Sequence, residues 1–193
     1  MMNKYSIDVP NNIVSLTSTL EYEKNIPIML AKLNKIMVEL NSKEKLIGNN
    51  DISVMFENHI HHANFMVNVL KKNDYQLLKK TIQWFFYTYE NRGFKSDYFQ
   101  RVFETWIIVI NNTLDKKSAI EITQVYQWMK DKQFDLEQSI DRPLVDKEKF
   151  SAKVLKNIDT FTNLLLMGNS KEALNFAAKE VKDKGDLEEF YTK

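Results

Sequence analysis

Glycine and proline are scarce in this chain: four of the first and three of the second in 193 residues. Sheets joined by tight turns draw heavily on both residues, so their scarcity points to long helices and few connections. Apolar side chains recur at steps of three and four along most of the sequence, and no stretch alternates over the length of a strand. The 12 Phe, 8 Tyr and 3 Trp supply a large aromatic core. These features predict an all-α fold, a helical bundle of roughly eight helices with two similar helical-hairpin units.

Residues 1–18 are polar and poorly periodic, and read as a flexible N-terminal arm. Pro27 stands where a helix can start, followed by Ile28, Leu30, Leu33, Ile36, Met37 and Leu40. Asp51 is the expected N-cap of a second helix running to about Lys72. Asp74 caps a third, and Gly93 closes it as a left-handed C-cap. Ser96 opens a fourth, a fifth spans about 116–136, and Pro143 marks a boundary. The expected organisation is an arm over 1–18, a helical sensor-like domain over 19–142 and a partial cap-like helical module over 143–193.

Charge and composition exclude several classes of function. The 27 basic and 26 acidic residues leave a net charge of +1, which suits neither a nucleic-acid nor an anionic-membrane partner. The absence of cysteine removes disulfides, thiolate metal sites, iron–sulfur clusters and thiol nucleophiles, and fits a reducing cytosol. The start, MMNKYSIDVPNN, lacks a signal-peptide pattern, and the apolar run FETWIIVI is too short to span a bilayer. The expected location is cytoplasmic. No Gly-rich phosphate loop, G-x-S-x-G or H-E-x-x-H is present, so no enzyme activity is expected.

Two stretches look alike, either as an internal repeat or as any two amphipathic helical hairpins do. Phe65, Leu70, Asn73 and Leu78 align with Phe161, Leu166, Asn169 and Leu174. After a short offset Gly93 aligns with Gly185, and Tyr98–Phe99 with Phe190–Tyr191. In the second unit the chain stops at Lys193, within the first turns of the matching helix. A helix that short is barely stable alone, so a longer parent chain or docking on a partner is expected.

The second unit, with GNSKEAL at 168–174, Gly185 and LEEFYTK at 187–193, resembles the start of the helical cap module ahead of cobalamin-binding domains. Such modules occur in methionine synthases, corrinoid methyltransferase proteins and cobalamin-dependent regulators. The first unit is similar to the N-terminal helical domain of bacterial cobalamin-binding sensor or regulator proteins. ENHIHHANFM (57–66), NDYQLL (73–78), WFFYTYENRGF (84–94), DYFQRVFETW (97–106) and VYQWM (125–129) carry that likeness. It implies a non-catalytic regulatory or sensory domain that relays ligand or partner binding to a downstream module. The Asp-x-His-x-x-Gly motif that ligates cobalt in that family is missing here, as is any parallel-sheet segment. No cofactor is therefore expected in this chain; cobalamin enters only through a downstream domain.

His59 and His62 sit at i and i+3, one helix face apart from His61, and are weak candidates for a metal site. The ordinary alternative is a polar core pair. Trp84, Trp106 and Trp128 fall 22 residues apart on successive helices, and with Tyr89 and Tyr98 they are candidates to line a ligand pocket. The ordinary alternative is again core. Three readings stay open: a regulatory domain with a small-molecule ligand or a protein partner, self-association included; a structural protein–protein interaction bundle; and a metal-dependent enzyme on the histidines. Complete filling of the space around His59, His62 and Trp106 favours the second.

Overall fold

The structure is a computed structural model, and it describes residues 7–140, 156–157, 160 and 170–180. Among these, there are seven helices and no strand. They are α1 (Leu16–Glu44), α2 (Ile52–Lys72), α3 (Tyr75–Asn91), α4 (Asp97–Asn111), α5 (Lys116–Asp131), α6 (Gln133–Gln138) and α7 (Ser170–Glu180). The chain divides into two compact units, Met1–Arg142 and Pro143–Lys193. Among the described residues, no helix is long and apolar enough to cross a membrane.

Local chemistry sets several boundaries of the first unit. The Asp51 carboxylate accepts from the Ser53 amide at 2.8 Å, and the Asp74 carboxylate accepts from Leu77 at 3.0 Å. Each satisfies a first-turn N–H that has no partner within its helix. The end of α3 is a Schellman motif. The Phe94 amide reaches back to the Tyr89 carbonyl and the Gly93 amide to Glu90, with Gly93 at φ +80°. The Phe94 and Tyr89 rings then meet at 4.8 Å.

Helix α4 buries eight of its residues in the first unit. It lies against α1 and α5, while α1 also meets α2, and α3 packs on α6. Its inward face carries Tyr98, Val102, Trp106 and Val109–Ile110, at the three- and four-residue steps of a helix. Facing it, α1 contributes Tyr22, Met29, Leu33 and Met37, and α5 contributes Ile122, Val125, Tyr126 and Met129.

Four expectations need correction. The reading of 1–18 as a flexible arm fails over residues 7–15, which form a strap without helix or strand, with Ile7 and Val14 buried. Asn73 grips the strap through its side chain, accepting from the Val14 amide at 2.8 Å and donating to the Val14 carbonyl at 3.2 Å. The first helix does not start at Pro27 but at Leu16, capped by Ser15, with Pro27 inside it. Pro27 and Glu23, whose carbonyl loses a donor there, are both on the exposed side, where water can take its place. Ile28 consequently faces outward at 53% exposure, and Met29 occupies the core. Finally, the helix expected over 116–136 breaks at Lys132, and α6 carries the buried Gln133 and Leu136 onward. Neither glycine nor proline marks that break.

Within 143–193, the described residues, 156–157, 160 and those of α7, are helical. Phe161, Leu166, Asn169, Gly185, Phe190 and Tyr191, on which the second repeat and the cap-like likeness rest, lie outside the described residues.

Candidate functional site

The histidine face of α2 meets α4 inside the bundle. His59 is buried, and both of its ring nitrogens are engaged. Nδ1 lies 2.6 Å from Asn34 Oδ1 on α1, and the Tyr98 hydroxyl on α4 lies 3.1 Å from Nε2. The amide oxygen can only accept, so Nδ1 donates to Asn34 and Nε2 accepts from Tyr98. Burial, with the nearby His62 adding to it, pulls the His59 pKa down to about 3. Burial pulls His62 down to about 4. Both rings are neutral at physiological pH.

His62 takes up a different role. Its ring packs edge-on to Tyr126, with centroids 5.6 Å apart, and tilts against Trp106 at 5.9 Å and Phe103 at 6.3 Å. Beyond it, the Tyr22 and Tyr126 hydroxyls meet at 2.8 Å and bind α1 to α5. Burial pushes both phenols above their ordinary range. A polar seam thus crosses the apolar core and ties α1, α2, α4 and α5 together.

A cavity of about 20 Å3 opens beside this seam, between α2, α3 and α4. Asn58, His59, His62, Tyr89, Tyr98 and Trp106 line it, with Ile82, Phe85, Phe99, Val102 and Phe103. Five of the sequence-predicted residues, His59, His62, Tyr89, Tyr98 and Trp106, are therefore gathered in one place. Pockets for small organic ligands run to about 300–1,000 Å3, far larger than this. Asn58 Nδ2, His62 Nε2 and Trp106 Nε1 are shut off from solvent without a protein partner.

The other two candidates lie elsewhere. Trp84 projects outward at 60% exposure and does not line the cavity. Trp128 binds the strap instead, donating from Nε1 to the Asp8 carbonyl at 2.8 Å. For the metal reading, His59 spends both nitrogens on Asn34 and Tyr98, so the two histidines do not offer a pair of free lone pairs. Among the described residues, no three His, Cys, Asp or Glu side chains gather into a metal-binding group.

Sequence reasoning missed Tyr22, Asn34 and Asn58. Asn34 left a trace, since it is a polar residue beside Leu33 and Met37 on the apolar stripe of α1. It also missed a cleft of about 280 Å3 where α3 and α6 face the start of α4. Phe86, Phe94 and Phe99 line that cleft together with Glu90, Lys95 and Glu137. Burial raises the Glu137 pKa, the Gln133 hydrogen bond opposes this, and the charge of Glu90 adds to the rise.

No protein-family model matches the chain, and no curated protein or solved structure is significantly similar to it.

Proposed function

We propose that this chain is a non-catalytic helical domain of a regulatory protein, and that it works through protein–protein contact. The observation that carries this reading is how little space is left around His59, His62 and Trp106. The space left there, about 20 Å3, accommodates no organic ligand. That favours the relay of partner binding over the relay of ligand binding. The relay then has to start at the surface, where α3 exposes Leu77 at 44% and Trp84 at 60%. Seven residues make almost two full helical turns, so the two side chains stand on one face.

The likeness of residues 57–129 to the N-terminal domain of bacterial cobalamin-binding regulators supports the regulatory half of the proposal. In this reading the fold is completed as two helical-hairpin units and about eight helices, at work in the cytoplasm. Cobalt chemistry belongs to a separate domain, because the 193 residues contain no Asp-x-His-x-x-Gly motif.

Sedimentation velocity over a range of concentrations tests the reading. The wild-type chain is expected to self-associate, and Leu77→Glu with Trp84→Glu is expected to abolish association while leaving the urea midpoint unchanged. A wild-type chain that stays monomeric at every concentration, or that shifts the absorbance spectrum of added cobalamin, overturns it.

A further inference from the structure

We infer that the cavity between α2, α3 and α4 is a binding site for a single water molecule, held by Asn58, His62 and Trp106 as a fixed member of the polar seam. The volume of about 20 Å3 exceeds the 10–15 Å3 or so that one water needs, and is too small for an organic molecule. Asn58, His62 and Trp106, which line it, each carry a buried side-chain nitrogen with no protein partner, and buried waters usually make about three hydrogen bonds.

The donor and acceptor pattern selects water over its rivals. Trp106 Nε1–H and the Asn58 amide nitrogen can only donate. The neutral His62 ring can leave Nε2 bare to accept. A water accepts the first two and donates to the third, and no orphaned group remains. A halide ion accepts only, so it needs a proton on His62 Nε2. It also finds no lysine or arginine along the cavity wall. An apolar gas molecule leaves all three polar groups unpaired and desolvated. Bound in this way, the water joins α2 to α4 just as Tyr98 and His59 do directly.

Nuclear magnetic resonance on the full chain tests the assignment. Trp106→Phe identifies the Trp106 indole resonance; if that variant does not fold, Trp84→Phe and Trp128→Phe identify it by elimination. The expected result is a nuclear Overhauser cross-peak between the Trp106 indole proton and water, with the sign of a long-lived bound molecule. It should persist in Tyr89→Phe, which removes a hydroxyl able to relay the signal. The nitrogen shifts of the His62 ring should report a protonated Nδ1 and a bare Nε2. Loss of the cross-peak in Tyr89→Phe, its absence from the wild-type chain, or a proton on Nε2 overturns the inference.

Discussion

At the scale of single residues, the core depends on two histidines that stay neutral. Their folded pKa values, about 3 for His59 and about 4 for His62, lie well below the 6.5 of a free imidazole. The unfolded chain therefore binds protons that the folded chain refuses. The stabilisation is complete above pH 6.5 and is lost as pH falls from there towards the folded values. At pH 5.5 each histidine has given up about 1.4 kcal/mol, so the pair costs about 3 kcal/mol relative to pH 8. Urea unfolding at the two pH values measures this directly. Replacing His62 with Gln should halve the loss, and an unchanged slope contradicts the account. The same two rings show why burial matters to the site itself. A charged imidazole cannot accept from Tyr98 or from a buried water, so the seam is intact only in the neutral state.

At the scale of elements, the loops that join the helices carry more specificity than their length implies. The α1–α2 loop presses on the α3–α4 loop. Lys95 donates from its amide to the Leu46 carbonyl at 2.8 Å, and the Asn50 side chain donates to the Arg92 carbonyl at 2.8 Å. Both loops contain a glycine with positive φ, Gly48 at +61° and Gly93 at +80°. A Cβ on Gly48 would fall 2.3 Å from the Gly93 carbonyl oxygen, whereas a Cβ on Gly93 meets nothing within 4 Å. Gly93→Ala should therefore cost only the left-handed backbone penalty, about 1–2 kcal/mol. Gly48→Ala adds a collision with rigid backbone and should cost more than about 3 kcal/mol. Denaturant midpoints of the two variants check the order; equal losses would remove the close approach as the cause.

At the scale of the molecule, the described core belongs to one unit. Every buried apolar side chain among the described residues falls between Ile7 and Leu136. All of them lie within the unit Met1–Arg142. A chain ending at Arg142 is expected to unfold in a single cooperative step, with coincident transitions in far- and near-ultraviolet circular dichroism. Loss of the near-ultraviolet signal alone would mean that aromatic packing in this unit needs the remaining residues. The seam also ties the helices of this unit together. Polar contacts from α1 to α2, α2 to α4 and α1 to α5 fix helix register in a way that interchangeable apolar contacts do not.

The sequence by itself determined the all-helical class and those boundaries that rest on contacts within a few residues. Asp51 and Asp74 bind amides two or three positions away, and Gly93 completes a motif within its own turn. Such features can be read locally because their partners are local. His59 and His62 were legible as an inward pair for the same reason, being three residues apart on one helix. The tertiary structure alone decided which of three equally spaced tryptophans became core. Spacing placed Trp84, Trp106 and Trp128 on successive helices but did not fix how each helix is turned about its axis. That rotation follows from which neighbours surround it, and α4, enclosed by α1 and α5, buries its tryptophan, while α3 exposes its own. The strap at 7–15, the Asn34 partner of His59 and the Gly48–Gly93 contact escaped the sequence in the same way. Each joins residues far apart in the chain, where only packing can bring the two halves together.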